Sequence, residues 1–121
     1  MGWFSRLRGS EESIDLDVAD AREALKTGGL LVDVRERNEW DAGHAPKARH
    51  VPLSSLGSSI ERLPTDRTLV VVCRSGNRSK RATRLLRKHG LDARNLRGGM
   101  TAWRAAGQPL VSSKGRPGTV A

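Results

Sequence analysis

Two short, mainly apolar runs constrain the fold of this chain more than any other feature of its sequence. Residues 30–34 read Leu-Leu-Val-Asp-Val, and residues 69–72 read Leu-Val-Val-Val. Valine-rich runs of this length, without polar alternation, are typical of parallel strands that are covered on both faces. They predict an α/β domain whose sheet lies between layers of helices.

Helical patterns surround these two runs. Asp17 is a suitable N-cap for a helix that ends at the glycine pair 28–29. A second helix is predicted over 79–89 and a third, shorter one over 99–107, each followed by a stop signal. Segment 54–63 is interpreted as a short helix or two turns.

The chain offers three further strand candidates, at 13–16, 50–53 and 93–96. Strands that alternate with helices at this spacing predict βαβ units with right-handed crossovers. We therefore expect one domain over 13–111, between a flexible N-terminal segment, 1–12, and a flexible basic tail, 112–121.

Charge and cysteine content narrow the function classes. The net charge of +9 favours anionic partners such as small oxyanions, acidic proteins or nucleic acid. The basic stretches lack interleaved aromatic residues, so we do not expect nucleic acid. Cys73 is the only cysteine, which excludes an internal disulfide and suits a reducing compartment. The three histidines show no ligand spacing, so neither a metal nor a cofactor is expected.

No stretch is long and apolar enough for a signal peptide or a membrane span, so a cytoplasmic protein is expected. Near the N-terminus, Trp3, Phe4 and Leu7 alternate with Arg6 and Arg8. This pattern fits either weak contact with a membrane surface or an unstructured basic terminus. We favour the second interpretation and expect no membrane partner.

The segment 73–79, Cys-Arg-Ser-Gly-Asn-Arg-Ser, is the candidate for chemistry. It joins a buried strand to a helix, at the sheet edge where α/β proteins bind ligands. If the loop curls around the sulfur, the amides of 74–79 form a nest for an anion, and Arg74 and Arg78 add positive charge. Gly76 allows the tight loop. Such surroundings predict a thiol of lowered pKa and a reactive thiolate at neutral pH.

A lone cysteine that ends a valine-rich strand is more often a small buried hydrophobic residue. A core cysteine, however, does not need two arginines, a glycine and a helix N-terminus after it. We therefore interpret Cys73 as a nucleophile. The residues expected to bind its anionic substrate are Arg74, Ser75, Gly76, Asn77, Arg78 and Ser79.

Three ordered motifs resemble those of one known family. The loop is similar to the active-site pattern Cys-x-x-Gly-x-Arg-Ser of the rhodanese family. The upstream motif is matched by Asp33-Val34-Arg35, Glu39-Trp40, Gly43-His44 and Val51-Pro52. The downstream motif is matched by residues 96–100 with Trp103, Gly107 and Pro109. The resemblance extends over about residues 13–111.

The resemblance implies a parallel five-stranded sheet flanked by helices on both faces, and sulfur transfer by double displacement. The Cys73 thiolate would take the outer sulfur of a small anionic donor such as thiosulfate. The loop amides would hold the resulting persulfide until cyanide or a thiol accepts the sulfur. Arg74 and Arg78 would clamp the oxygens of the donor.

Loop length separates sulfur chemistry from phosphorus chemistry in this resemblance. Related phosphatases have five residues between cysteine and arginine, whereas only four, 74–77, lie between Cys73 and Arg78. The smaller ring suits a sulfur atom and argues against phosphatase or arsenate-reductase activity. The chain departs from the family pattern at Pro46 and Lys47, where small flexible residues are usual.

Four residues near the expected site are interpreted as structural support. Asp33, Arg35 and Glu39 are expected to form ion pairs that brace the loop rather than to bind substrate. His44 is expected to be a packed, hydrogen-bonded turn residue, because a preformed thiolate needs no general base.

The predicted helix 79–89 is strongly basic. Its cations are Lys80, Arg81, Arg84, Arg87 and Lys88. They form either a solvated outer face or a docking strip for an acidic protein partner, and the sequence leaves both open. A non-catalytic adaptor with the same fold is the alternative function. An adaptor needs no thiol, so the presence of Cys73 favours catalysis.

Overall fold

The computed structural model describes residues 14–121, so the predicted segment 1–12 lies outside the described residues. Within the described part, the strands are β1 (Asp15–Leu16), β2 (Leu30–Asp33), β3 (Arg49–His50), β4 (Leu69–Val72) and β5 (Ala93–Leu96). The α-helices are α1 (Val18–Lys26), α2 (Arg37–Ala42), α3 (Leu56–Ser59), α4 (Asn77–Lys88) and α5 (Gly99–Ala105). Two 3₁₀ turns, Leu53–Ser55 and Ile60–Arg62, flank α3.

The strands form one parallel sheet in the order β1-β5-β4-β2-β3. Central β4 pairs with β2, where Leu31 lies opposite Val70, and with β5, where Asn95 lies opposite Val71. Every residue of β2 and β4 is buried, as their continuous apolar runs predict. The prediction of an α/β domain with a five-stranded parallel sheet is confirmed.

Alternate residues of the central strands enter two apolar cores on opposite faces of the sheet. Val32 and Val71 belong to the core that α4 covers with Leu86. Val70 and Val72 belong to the other core, together with side chains of α1 and α5. Burial of one such aliphatic side chain contributes about 1.5–3 kcal/mol. Packing on both faces therefore stabilises the sheet, so the strand ends provide fixed positions for a site.

Helix α4 begins at Asn77, two residues before the predicted start at Ser79. Gly76 causes the difference. It adopts a left-handed φ of 109°, and its carbonyl already accepts a hydrogen bond from the Lys80 amide at 3.1 Å. The second half of the predicted loop is therefore the first turn of a helix.

Two predicted strands are shorter in the structure. Strand β3 is Arg49–His50 rather than 50–53. The Val51 and Leu53 amides still donate to the carbonyls of β2 and of Val34, but Leu53 already begins a 3₁₀ turn. Strand β1 is Asp15–Leu16, and residue 13 of its predicted range lies outside the described part. No helix among residues 14–121 is long and apolar enough to cross a membrane.

The sequence prediction gives no bounds for the short helix α2. It begins with a capping box, in which the Glu39 carboxylate accepts a hydrogen bond from the Glu36 amide at 2.9 Å. The usual sequence signature has Ser or Thr in the first position of this box. Because Glu36 occupies that position, the sequence lacks the usual signal for the start of this helix. The helix is important because it carries Glu39 towards α4.

The C-terminal tail, 112–121, follows a bridge between Val111 and His44 and makes its own contacts. The amide of Thr119 donates to the carbonyl of Ala42, at the end of α2, at 2.9 Å. The composition of the tail predicts no such contacts. Its flexibility stays a prediction, which limited proteolysis would test.

Candidate active site

Cys73 directly follows β4 and lies beneath the loop that leads into α4. Its side chain is only 1% exposed and borders the core under α4. The Gly76 amide nitrogen lies 3.1 Å from the sulfur, and the Ser79 hydroxyl oxygen lies 3.3 Å from it. The sulfur is therefore buried, but polar donors face it from the loop.

These donors determine the ionisation of the thiol. Burial raises the pKa of Cys73, but hydrogen bonds from the Ser79 hydroxyl and from the amides of Ser79, Gly76 and Ser75 outweigh it. The pKa of Cys73 is consequently lowered. Of the predicted amide nest 74–79, these three amides act on the sulfur.

The first turn of α5 fixes the backbone of the loop. The Met100 amide donates to the Cys73 carbonyl at 2.8 Å, and the Thr101 amide donates to the Arg74 carbonyl at 3.1 Å. This close approach requires glycine at position 99, because a Cβ on Gly99 would overlap both carbonyl oxygens. Sequence reasoning places this glycine at the start of a helix and in the downstream motif, whereas the structure also makes it part of the site.

A chain of hydrogen bonds links Ser79 to the sheet. Ser79 Oγ lies 2.5 Å from Asn95 Oδ1, and Asn95 Nδ2 donates to Asp15 at 2.9 Å. Because Asp15 engages the amide nitrogen, Asn95 presents its oxygen, an acceptor, to Ser79. Sequence reasoning missed Asn95 and Asp15, which are far from the loop in the chain. A polar residue in a buried strand is the signal that could have found Asn95.

The two loop arginines occupy different environments. Arg78 forms a bidentate ion pair with Glu39, with N–O distances of 2.7 and 2.8 Å. The hydrogen bonds of Arg78 lower the pKa of Glu39 to about 2, and those of Glu39 raise the pKa of Arg78. A Cys73 thiolate also raises the pKa of Arg78, so this charge acts on the sulfur from a distance.

The Arg74 side chain is exposed and forms no hydrogen bond or ion pair with any residue of 14–121. The side chains of Ser75 and Asn77 are exposed beside it. The outer side of the loop is therefore polar and carries one uncompensated positive charge. The sequence prediction has both arginines bind the oxygens of the sulfur donor, whereas in the structure Arg78 forms an ion pair with Glu39.

Asp33 and Arg35 form a fully buried ion pair close to the loop. Their N–O distance is 2.8 Å and both side chains are 0% exposed. Arg35 Nη2 also donates to the Gly43 carbonyl at 2.7 Å. Its Nη1 has no hydrogen-bond partner in the described part of the chain. Asp33 lies opposite Val72 in the sheet, so the pair supports the strand end that precedes Cys73.

His44 packs against α2. Its ring stacks on Trp40 with centroids 3.7 Å apart, and its Nδ1 lies 2.9 Å from the Trp40 carbonyl oxygen. These contacts are those expected of a packed turn histidine. Within residues 14–121, no group of three or more His, Cys, Asp or Glu side chains lies close enough together to hold a metal ion.

Comparisons with known proteins agree with this geometry. The family model of the rhodanese-like domain matches residues 17–106. A protein of Allochromatium vinosum named sulfurtransferase is 36% identical over 105 residues, which are 86% of this chain and 94% of that protein. The probable adenylyltransferase/sulfurtransferase MoeZ of Mycobacterium tuberculosis is 42% identical over 95 residues, 74% of this chain but only 24% of that protein.

Among solved structures, a rhodanese-related protein from Thermoplasma volcanium matches with a TM-score of 0.75 and 32% identity. The match covers 80% of this chain and 96% of that one. The family match extends over most of the chain and includes the strand, loop and helix around Cys73. The chain belongs to the rhodanese family.

Proposed function

We propose that the protein is a sulfurtransferase that carries sulfane sulfur as a persulfide on Cys73. The observation that carries this proposal is the donor set at the sulfur, with the Gly76 amide at 3.1 Å and the Ser79 hydroxyl at 3.3 Å. These donors favour the thiolate without a general base. Membership of the rhodanese family and a relative named sulfurtransferase support the same reaction class.

The reaction has two displacement steps. The Cys73 thiolate attacks the outer sulfur of thiosulfate, and the S–S bond of the donor breaks. Sulfite leaves with the electron pair, and a persulfide anion remains on Cys73. Cyanide or a thiolate then attacks the terminal sulfur, and the S–S bond to Cys73 breaks to regenerate the thiolate. No proton transfer is needed in the first step.

The size of the loop favours sulfur over a phosphoryl group. Only four residues separate Cys73 from Arg78, and the Gly76 amide is within hydrogen-bond distance of the sulfur. Because Cys73 is 1% exposed, we expect a small donor or a narrow acceptor end to reach it. Thiosulfate and alkyl persulfides meet this requirement.

The arginines have separate roles in this proposal. Arg74, exposed and without a partner in the described chain, attracts the anionic donor to the loop. Arg78, bound to Glu39, braces the first turn of α4 and contributes its charge at longer range. Arginine's forked donors suit both a carboxylate and a sulfonate-like oxyanion.

Release of the sulfur requires a second molecule, because Cys73 is the only cysteine. For a protein acceptor, the exposed cations of α4 provide a docking strip next to the loop. The exposed members are Arg81, Arg84, Arg87 and Lys88. An acidic partner would complement this strip. The same strip is the feature that favours the alternative, a non-catalytic adaptor.

Intact mass measurement tests the proposal. After incubation with thiosulfate, the protein should gain the mass of one sulfur atom and lose it on addition of cyanide or a reductant. Cys73→Ser should gain nothing, and the matched Ser75→Ala variant should load normally. A wild-type protein that never gains sulfur from thiosulfate or from an alkyl persulfide would instead support the adaptor.

A further inference from the structure

A cavity of about 430 Å³ lies on the face of the sheet that does not carry Cys73. Leu31 lines this cavity and belongs to the core under α1 and α5, whereas Cys73 belongs to the opposite core. Small-molecule sites typically have volumes of about 300–1,000 Å³. The sulfur-transfer reaction uses no residue of this cavity.

The walls of the cavity are mainly apolar and come from separate elements. Leu25 of α1, Ala45 and Ala48 of the segment before β3, and Trp103 of α5 line it. The Trp103 indole N–H donates to the Pro109 carbonyl at 3.1 Å. The polar end of this ring is therefore already satisfied. Trp103 is 5% exposed, so a small apolar part of the ring faces the cavity.

Positive charge is concentrated beside these walls. Arg22, Lys26 and Lys47 line the cavity, and no carboxylate does so among the described residues. All three cations are exposed, and none has a hydrogen bond or ion pair within the described chain. An anion placed here would meet uncompensated positive charge on two sides, from α1 and from the segment before β3.

We propose that this cavity binds an organic anion with an aromatic or branched aliphatic body. The apolar body would lie between Leu25 and Trp103, and a carboxylate or sulfonate would lie near Lys26 and Lys47. An inorganic oxyanion would leave the apolar walls uncovered. A neutral apolar molecule would leave the cations unused. Both parts of the cavity together therefore select an amphipathic anion.

Fluorescence titration with 8-anilinonaphthalene-1-sulfonate tests the proposal, because this probe combines an aromatic body with a sulfonate. We expect saturable binding of one probe per chain. N-phenyl-1-naphthylamine, which lacks the sulfonate, should bind at least about tenfold more weakly if charge and burial act together. In NMR spectra, the Trp103 indole N–H resonance should shift on titration with the sulfonate.

Reversing the charge of single lysines shows where on the protein the probe binds. Lys26→Glu and Lys47→Glu should each weaken binding about three- to tenfold, and the Ala48→Trp variant should fill the cavity and remove saturable binding. Lys88→Glu makes the same charge change at the exposed end of α4, far from the cavity, and should have little effect on probe binding. Equal weakening by Lys88→Glu, or an unshifted Trp103 resonance, would overturn the proposal. Sulfur loading of Cys73 is measured separately and should not change in Lys26→Glu, Lys47→Glu or Ala48→Trp.

Discussion

Asp33 at the end of β2 and Cys73 after the end of β4 lie on adjacent strands, and both can carry a negative charge in a buried place. Their partners differ. Asp33 faces a full positive charge, because Arg35 lies 2.8 Å away. Cys73 faces mainly neutral donors, which are backbone amides and the Ser79 hydroxyl.

In the proposed function, this difference separates a structural anion from a reactive one. In a buried ion pair both charges are fixed, so the oxygens of the carboxylate are already occupied and cannot readily bind a substrate. Neutral donors stabilise a thiolate without neutralising it, so its electron pair stays available. At the same edge of the sheet, one strand end thus holds a neutralised carboxylate and its neighbour holds an available thiolate. Four predictions test this comparison.

The largest effect is expected when the ion pair is broken. Asp33→Ala leaves the Arg35 guanidinium buried without its partner and should lower the free energy of unfolding by about 3–5 kcal/mol. Urea unfolding measures this loss. In the double variant Asp33→Ala, Arg35→Met, an apolar pair replaces the charges, and most of the stability should return. A loss of less than about 1 kcal/mol in the single variant would show that the pair is dispensable.

On the reactive side, Ser79→Ala removes one donor to the sulfur. A hydrogen bond to a charged group is worth about 1.5–3 kcal/mol. Because a thiolate of higher pKa is also more nucleophilic, alkylation of Cys73 by iodoacetamide at neutral pH should slow by only about 3- to 10-fold. Because hydrogen bonding lowers the pKa of Cys73, the midpoint of the pH–rate profile should move to higher pH. The exposed Ser75→Ala retains its amide and should show neither change; a similar shift there would contradict the assignment.

Glu39→Gln removes the carboxylate that holds Arg78. The pKa of Glu39 is lowered to about 2, so its stabilising effect is complete above its ordinary pKa and is lost as pH falls towards 2. We expect the variant to be about 1–2 kcal/mol less stable at pH 7, allowing for the partial exposure of Arg78. Urea unfolding at pH 7 and near pH 3 should show that the difference shrinks in acid. A difference that stays constant would disprove the linkage.

Arg74→Ala is expected to have the smallest effect. The exposed side chain attracts anions but supports no other residue, so sulfur loading from thiosulfate should slow about two- to fivefold, and mainly at low salt. The free energy of unfolding should not change. Lys88→Ala, an exposed cation at the far end of α4, serves as the control. Equal slowing in both variants would indicate a general effect of net charge.

Local sequence patterns were sufficient to predict the central sheet and the position of Cys73. Strands β2 and β4 are buried on both faces, so their residues are apolar except for Asp33 at the end of β2, and each strand can be recognised singly. The loop after β4 is contiguous in the chain, so its glycine and its arginines can also be recognised together. The ends of elements were harder, since Gly76 moves the start of α4 by two residues.

The side-chain partners could not be predicted from local patterns. Asn95 and Asp15 reach Ser79 from β5 and β1 because the parallel sheet brings distant segments together. Arg78 pairs with Glu39, which lies on a helix whose bounds the sequence does not reveal. The cavity beside Trp103 likewise depends on how α1, α5 and the segment before β3 pack. Each of these features depends on tertiary packing rather than on spacing in the chain.

The Ser79 hydroxyl has one hydrogen but lies near two acceptors, Cys73 Sγ at 3.3 Å and Asn95 Oδ1 at 2.5 Å. In the proposed cycle, loading of sulfur moves the negative charge by one S–S bond, about 2.05 Å, onto the outer sulfur. The hydroxyl can then rotate its hydrogen to Asn95, so that neither the empty nor the loaded carrier leaves a buried donor without an acceptor. One hydroxyl can therefore serve both stages of the proposed cycle.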